Sequence, residues 1–360
     1  MLSLGGSTFL VGLDAFALTG PGWLLTLWGG LLADRYNRKY IILFFQFIQM
    51  LAVAGIILLM YTGILAPWML IAASLISGIT DSLSMPSLQT LVPSLVKKDD
   101  MPKAVSLNAL QFNLSRMIGP AVAGFAMAKL GAISCFTGNL ISYLPLFFAV
   151  TLVYPKKFQH RPLARMERDW RPRWSDFTSV LTHKDHFKLL ASIFLNSLFV
   201  VPLMIFVPVL VKQVLHASSE HLGLVMGASG VGGLLGALGG MKMPEILRRD
   251  KNSILLAILA GVCLALLSWN RNIVVLGLGL MLIFTLTAML MITSNSRIQM
   301  DSLDQHRGRA ASFFQLAMQG GLAIGGLWTG ALAQAVGIQQ ALLINGSAAI
   351  LLQLGLYFGK

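Results

Sequence analysis

Charged residues are scarce in this sequence. Asp, Glu, Lys and Arg make up 11% of its 360 residues, whereas hydrophobic residues make up 56%. A soluble domain carries roughly 25% charged residues, so this composition excludes a soluble globular protein. Apolar stretches such as 40–60 and 273–296 are long enough to cross a hydrocarbon core of ~30 Å. The sequence therefore predicts an all-α polytopic membrane protein.

Cysteine and metal-binding patterns are also lacking. The two cysteines, Cys135 and Cys263, lie in apolar segments, which excludes a disulfide framework and a zinc site. The six histidines show no metal-ligand spacing, and no G-x-x-x-x-G-K-[ST] phosphate-binding motif is present. We therefore expect no cofactor, no metal and no direct use of ATP. We also expect no enzyme, because clustered intramembrane His, Asp or metal ligands are missing.

Hydropathy and loop punctuation predict eleven membrane spans. They lie at 8–33, 40–62, 67–92, 104–128, 132–154, 187–212, 221–243, 253–269, 273–296, 308–334 and 338–358. The polar stretch 155–186 separates five spans in residues 1–154 from six spans in residues 187–360. We interpret it as a cytoplasmic linker between two helix bundles.

The net charge of +13 is explained by membrane topology. No basic patch is interleaved with aromatic residues, so we expect no nucleic-acid partner. Loops on one predicted side hold 23 of the 27 Lys and Arg residues. The exceptions are Lys129, Lys212 and Arg271 on the other side and Arg116 inside a span. Because positive loops face the cytoplasm, we predict a plasma-membrane protein with a cytoplasmic C-terminus.

An internal repeat relates the two halves. A shift of 206 positions aligns residues 103–131 with residues 309–337. The identical pairs include Ala104/Ala310, Ser106/Ser312, Gly119/Gly325, Gly124/Gly330, Gly131/Gly337 and Asn139/Asn345. Both copies run in the same membrane direction, as in the parallel repeats of transporter halves. The span 187–212 finds no partner after Met1, so we expect that the first bundle lacks its first helix.

The segment "GGLLADRYNRK" (29–39) ends an apolar span in a cluster of charges. It matches G-x-x-x-D-R-x-G-R-[RK], a signature of the major facilitator superfamily. The matching residues are Gly30, Asp34, Arg35, Arg38 and Lys39. Asn37 stands at the usual glycine position, and asparagine tolerates left-handed backbone better than most residues.

A second block, residues 84–124, strengthens the resemblance. It is similar to a pattern of the bacterial branch that holds enterobactin exporters and macrolide efflux proteins. The matching residues are Pro86, Gln89, Pro93, Asn113, Arg116, Gly119, Pro120 and Gly124. The resemblance spans the whole chain and implies the major facilitator fold, with two pseudo-symmetric bundles of five and six spans.

The resemblance also implies roles for both motifs. The residues of 29–39 would form a latch at the inner gate. The alternative, that they only mark the cytoplasmic side, does not explain Asp34, because acids have little topological value. Gly119, Pro120 and Gly124 resemble the antiporter motif of drug–proton exchangers. The alternative is a helix kink that serves packing alone.

Charged residues inside the predicted spans are candidates for substrate or proton handling. A charge there costs at least ~2.5–3.5 kcal/mol, so Arg116 needs a partner, and Asp81 lies at a similar predicted depth. Asp81 also belongs to a polar helix face. That face comprises Ser74, Ser77, Asp81 and Ser84. We expect it to line a cavity, and a static ion pair between Asp81 and Arg116 is the alternative.

Asp14 is a second intramembrane carboxylate, roughly 9 Å from the outer end of its predicted span. Either it is a proton site or it is solvated at the mouth of an outer vestibule. Glycines at intervals of four, Gly232, Gly236 and Gly240, follow no predicted strand. We therefore predict a helix-packing ridge there rather than a dinucleotide site.

Together these features predict a secondary active exporter that works by alternating access. Proton entry would drive the extrusion of drugs, siderophores or other small amphiphilic molecules. The alternatives are a lipid or metabolite carrier of the same fold and an inactive truncated transporter. We expect a monomer in the lipid bilayer.

Overall fold

The computed structural model describes residues 5–94, 96, 100–152, 184–242, 250–300 and 307–358. All regular elements among them are helical. They are α1 (Thr8–Thr19), α2 (Pro21–Arg35), α3 (Arg38–Tyr61), α4 (Pro67–Ser94), α5 (Met101–Leu152), α6 (Lys184–Phe199), α7 (Leu203–Val209), a π-helical turn (Leu210–Val214), α8 (Ser219–Lys242), α9 (Asp250–Leu267), α10 (Ile273–Met300), α11 (Arg307–Val336) and α12 (Ile338–Phe358). Most of the predicted linker, residues 155–183, lies outside the described residues.

Nine segments of the described chain are long and apolar enough to cross a membrane. They are Thr8–Thr26, Arg38–Tyr61, Pro67–Leu88, Lys129–Leu152, Phe187–Val214, Ser219–Gly240, Ile273–Ile298, Phe313–Val336 and Ile338–Phe358. Lys251–Leu267 is a shorter apolar helix. These ten segments follow ten of the predicted spans in order. The remaining predicted span, 104–128, forms the first arm of α5.

Prolines divide two of the predicted spans. The span 8–33 is interrupted before Pro21, where α1 ends and α2 begins. The span 187–212 is divided between α6, α7 and the π-helical turn, with Pro202 before α7 and Pro208 inside it. Proline lacks the backbone N–H that continues the helical ladder, and its ring crowds the preceding turn. A hydropathy profile does not show these interruptions, because the residues on both sides of them are apolar.

In both halves of the chain, a glycine with positive φ lies at the junction of two helical segments. The two arms of α5 meet at Gly131, which has φ 78° and ψ 177°, a backbone region that essentially only glycine occupies. Its repeat partner Gly337 has φ 87° and separates α11 from α12. The repeat in the sequence therefore corresponds to a repeated backbone conformation.

Helices α1–α5 pack as a first bundle and α6–α12 as a second. In the first bundle α4 contacts α1, α2 and α3, and α3 also contacts α5. In the second, α10 packs on α8 and α9, while α6 packs on α11. The predicted glycine ridge is confirmed, because a Cβ on Gly232 or Gly236 would meet the backbone of α10.

The second bundle has the more completely buried core. Helices α6 and α7 contribute Leu189, Ile193, Leu203 and Phe206, none of which is exposed to solvent. In the described part of the first bundle, no large side chain is buried to the same degree. The best-buried apolar side chains there, such as Ile42, retain about 3% exposure.

Replacing Gly131 by alanine should destabilise the protein, since a Cβ is strained at that backbone conformation. We expect a loss of ~1–3 kcal/mol, seen as a lower melting temperature of the detergent-solubilised protein. Gly55 is the matched control, because it lies in regular helix and a Cβ there meets nothing within 4 Å. Equal melting temperatures for Gly131→Ala and Gly55→Ala would contradict the strained corner.

Candidate functional site

The two bundles meet along two seams. Helix α1 of the first bundle contacts α11 of the second, and α5 contacts α8. The end of the molecule that carries Arg35 and Arg38 is termed the motif end. The end that carries Lys129 and Glu220 is termed the opposite end.

At the α1–α11 seam, near the opposite end, the backbones of the two helices touch each other directly. A Cβ on Gly12 would meet the carbonyl oxygen of Gly326, and a Cβ on Gly330 would lie 3.1 Å from the Cα atom of Gly12. The side chain of Val11 packs against the core of the second bundle. Small residues let helices in a membrane approach this closely, so the bundles are in tight contact here.

The α5–α8 seam repeats this arrangement. Gly124 lies against the backbone of Gly223, and Lys129 Nζ lies 3.2 Å from Glu220 Oε1 at the same end. Gly124 is the repeat partner of Gly330, so the two seams use equivalent positions. The structure thus places Gly124, which the sequence suggested only as part of an antiporter-like motif, at a contact between bundles.

Trp23, on α2, makes a further contact with α11 that is closer to the motif end. Its indole Nε1 donates a hydrogen bond of 3.2 Å to the carbonyl oxygen of Leu316, and its ring lies against Gly320. Sequence reasoning missed this residue. Because its partner is a backbone carbonyl, nothing in the sequence distinguishes Trp23 from the other six tryptophans.

Asp14 joins α1 to α4. The Ser74 hydroxyl donates a hydrogen bond of 2.6 Å to Asp14 Oδ1, and Asp14 is half-buried. Nearby on α1, Gly12 and Ala15 face α11. A single helix therefore carries a carboxylate on one side and a bundle seam on another.

Asp81 is held by a side chain that the sequence analysis did not select. Gln49 Nε2 donates to Asp81 Oδ1 at 2.6 Å and to Thr80 Oγ1 at 2.9 Å. Gln46, one turn earlier, donates to the carbonyl oxygen of Tyr143 at 2.8 Å. Two buried amides three residues apart, in an otherwise apolar span, are the signal that could have identified this cluster.

The polar face of α4 includes Asp81 and also Ser74, the hydrogen-bond partner of Asp14. Ser74 and Asp81 are two turns apart, about 10 Å along the helix axis. Ser77 lies between them, and its carbonyl oxygen accepts a hydrogen bond from Thr80. The side chain of Arg116 lies outside the described part of the structure, so its pairing with Asp81 stays a prediction.

The connection between α2 and α3 differs from the expectation for Asn37. The residue has φ −66° and ψ 116°, so its backbone is extended and does not use the left-handed conformation that asparagine tolerates. Instead, the Asn37 side chain accepts a hydrogen bond of 3.0 Å from the backbone N–H of Lys39. Asparagine serves here as the N-cap of α3, a position that it favours.

The charged motif lies at one end of the first bundle. Lys39 Nζ donates to the carbonyl oxygen of Thr151 at 2.7 Å, which joins α3 to the second arm of α5. Arg38 Nε donates to the carbonyl oxygen of Ala33 at 3.4 Å. Arg35 is exposed, and a Cβ on Gly30 would meet nothing within 4 Å. The side chain of Asp34 lies outside the described part of the structure.

The remaining motif residues lie on the first arm of α5. Gly119 is exposed and lines a groove between the two arms of the helix. The side chain of Pro120 is outside the described part of the structure. The motif is therefore divided in the fold, since Gly119 faces the groove while Gly124 faces the second bundle.

Comparisons with known proteins agree with this architecture. The family described as transmembrane secretion effectors matches residues 1–359. The staphyloferrin A transporter of Staphylococcus aureus is 26% identical over 356 residues, which is 97% of this chain and 87% of that relative. The enterobactin exporter EntS of Shigella boydii is 29% identical over 172 residues, or 46% of this chain and 41% of that one.

Among solved structures, the nucleoside transporter NupG superposes with a TM-score of 0.76 at 16% identity, covering 100% of this chain and 92% of that one. This likeness confirms the predicted major facilitator fold. The matched family and relatives also confirm a multi-pass membrane transporter rather than an enzyme. The chain belongs to the transmembrane secretion effector family of major facilitator transporters.

Proposed function

We propose that this protein exports small amphiphilic molecules of the siderophore class in exchange for protons, by alternating access in the bacterial plasma membrane. The substrate class is supported by two relatives whose names concern staphyloferrin A and enterobactin. The observation that carries the coupling is the hydrogen bond between Asp14 and Ser74, made by the helix that also forms a bundle seam.

The orientation follows from charge. The loops predicted from the sequence to lie on the side of Arg35 and Arg38 hold 23 of the 27 Lys and Arg residues. Because positive loops face the cytoplasm, the motif end is cytoplasmic in this proposal. Both glycine seams are then closed on the outer side. In this proposal the closed seams are those of an inward-facing state, and export requires that they open.

Asp14 is the proposed entry site for protons. Intramembrane carboxylates mark proton relays in transporters. The charged form of Asp14 accepts a charge-assisted hydrogen bond from Ser74, which is about twice as strong as a neutral one. Protonation weakens this bond between α1 and α4. Because Gly12 on the same helix contacts α11, the loss of the bond frees α1 to shift at the seam.

Asp81 is the proposed exit site. Helix α4 runs from the opposite end at Pro67 toward the motif end at Ser94, so Asp81 is closer to the cytoplasm than Ser74. Ser77 supplies a polar group between the two. Gln49 donates to the charged carboxylate of Asp81, and Arg116 is the proposed countercharge.

The motif of 29–39 is the proposed inner latch. It lies at the end that must close when the seams open. The hydrogen bond from Lys39 to Thr151 attaches it to the second arm of α5, and the bond from Arg38 to Ala33 lies within the motif. Asp34 and Arg35 would pair with partners on the second bundle in the outward-facing state. Such state-specific pairs contribute a coupling free energy of ~1–3 kcal/mol.

Gly119, Pro120 and Gly124 are proposed to link substrate movement to the second seam. Gly124 contacts α8, and a Gly-Pro step inside a helix allows it to bend. Both seams and both carboxylates lie within one chain, so we propose that the monomer in the bilayer is the transporting unit.

A side chain larger than glycine at position 12 should open the outer side. We expect Gly12→Val to introduce longer distances between spin labels at Thr62→Cys and Arg271→Cys, which lie at the opposite end on different bundles. Pulsed electron spin resonance in a background without Cys135 and Cys263 measures this. Gly55→Val is the control, and an unchanged distance distribution in Gly12→Val would contradict the seam as a gate.

Neutralising the Asp14 carboxylate should uncouple transport from the proton gradient. In proteoliposomes with an imposed pH gradient, we expect Asp14→Asn to reduce accumulation of staphyloferrin A or enterobactin at least ~10-fold. Exchange of labelled for unlabelled substrate, which needs no net proton movement, should persist. Ser74→Ala keeps the carboxylate but removes the hydrogen bond through which protonation would act, so it should also lower gradient-driven accumulation. Gly55→Ala is the control and should retain it, because a Cβ there meets nothing within 4 Å.

Asp81→Asn should likewise abolish gradient-driven transport, whereas Gln49→Ala should keep it with a shifted pH dependence. Proton flux measured with a pH-sensitive dye inside the vesicles tests both. Wild-type rates in both Asp14→Asn and Asp81→Asn would refute proton coupling. Transport of phospholipids or nucleosides in place of siderophores would favour the alternative of a lipid or metabolite carrier.

A further inference from the structure

Two glutamines on α11 carry amides that no protein group bonds. Gln319 lies about 4 Å from the midpoint of the helix, and Gln315 is one turn closer to the motif end. Gln315 is exposed and Gln319 is half-buried. Within the described part of the structure neither side chain makes a hydrogen bond. Lipid chains offer an amide no partner at this depth, so these side chains require water or a ligand.

Gln319 faces the space between the two bundles. It precedes Gly326 by seven residues and Gly330 by eleven, which is about two and three helical turns, so all three lie on one face of α11. Gly326 and Gly330 both contact α1 of the first bundle. Gly321, on the other side of α11, lies against α6. The Gln319 amide is therefore directed toward the first bundle.

The space between α2 and α11 is open on the motif side of Trp23. Trp23 itself bridges the two helices through Leu316 and Gly320. One turn further along α2, Thr26 is exposed, and a Cβ on Gly30 would meet nothing within 4 Å. Trp23 is thus the outer wall of a gap that opens toward the motif end.

The side chains along this gap suit an amphiphilic ligand. Thr26, Gln315 and Gln319 are polar without charge, and the apolar Leu316 beside them is 42% exposed. Ligand sites combine apolar surface with a few polar groups that fix orientation. An amide has two N–H donors and a carbonyl acceptor. It can therefore bind carboxylate, hydroxyl and carbonyl oxygens of a ligand.

We infer that Gln319 binds the polar part of the transported molecule in this gap and selects among substrates, with Gln315 as a second contact. The inference rests on the proposed function and adds to it the residue that discriminates. A molecule bound at Gln319 lies next to the contact between Trp23 and Gly320. That contact has to separate before the molecule is released on the outer side.

Calorimetric titration of the detergent-solubilised protein with staphyloferrin A or enterobactin tests the contact. We expect Gln319→Leu to weaken binding roughly 10-fold. Gln319→Glu should weaken it further, because an ionised carboxylate only accepts hydrogen bonds, and Gln319→Asn, which keeps an amide, should recover part of the affinity. The melting temperature should not change, because the Gln319 amide bonds no protein group.

Gln340→Leu is the matched control for this titration. Gln340 is an exposed glutamine at the opposite end, on α12, so its replacement should leave binding at the wild-type level. Wild-type affinity in Gln319→Leu, or an equal loss in Gln340→Leu, would overturn the inference.

Cysteine labelling tests whether Gln319 faces an aqueous gap. In a background without Cys135 and Cys263, Gln319→Cys should react with the charged reagent sulfonatoethyl methanethiosulfonate. We expect at least ~10-fold faster reaction in inside-out than in right-side-out vesicles, because the closed seams must open before the reagent enters from outside. Ala341→Cys should stay unreactive because Ala341 is fully buried. Leu351→Cys should also stay unreactive, because this position is 69% exposed on a membrane-spanning helix and lipid excludes the charged reagent.

Protection by substrate completes the test. Gln315→Cys leaves Gln319 in place and should react in the same way, and saturating staphyloferrin A or enterobactin should slow its labelling. Unreactive Gln319→Cys, faster labelling from outside, or no protection of Gln315→Cys by a probe that binds would each overturn the inference. A wild type that binds neither probe refutes the proposed substrate class instead, and the labelling of Gln319→Cys then decides the inference by itself.

Discussion

Contact of bare backbone between the two bundles is the interaction on which the rest of this structure depends. In a bilayer the hydrophobic effect does not drive helices together, so their association relies on close packing and hydrogen bonds. Gly12 against Gly330, and Gly124 against Gly223, provide such packing at equivalent positions of the repeat. At these glycines the contact is backbone against backbone, and beside Gly12 only Val11 packs into the core of the second bundle through its side chain. These contacts between the bundles are the ones proposed above to act as the gate.

Polar side chains within the spans form a second layer of organisation. Asp14 with Ser74, and Asp81 with Gln49, each join neighbouring helices of the first bundle through a short hydrogen bond. These bonds stabilise charges where lipid cannot. Both also end on α4, so a change of protonation at either carboxylate acts on the same helix. Since α1 also forms a seam, Asp14 and the proposed gate lie on the same helix.

The two bundles have the same helix arrangement, but the second is packed more completely than the first. In the second bundle α6 lies against Gly321 and Gly325, and Asn345 is fully buried. In the first, Gly119 and Asn139 line an open groove. The asymmetry leaves Asp81 and Asn139 exposed in the first bundle, whereas their repeat partners Thr287 and Asn345 are buried in the second. It also locates the proton machinery proposed here in the less tightly packed bundle.

The sequence by itself determined the fold class, the order of the spans, the two-bundle repeat and the glycine ridge of α8. These features follow from local hydropathy and from glycine spacing, which a linear pattern records directly. It also located Asp14, Asp81 and the charged motif, because an isolated charge in an apolar span is conspicuous without any structure.

Only the tertiary structure decided which groups these residues meet. Ser74 is 60 positions from Asp14 and Leu316 is 293 positions from Trp23, and no periodicity relates residues so far apart. Nor could the pattern show that Gly124 faces the second bundle while Gly119 faces a groove, or that Asn37 caps a helix. Spacing along the chain constrains the face of a helix on which a residue lies. The neighbour that covers that face depends on how the helices pack, which is a property of the whole chain.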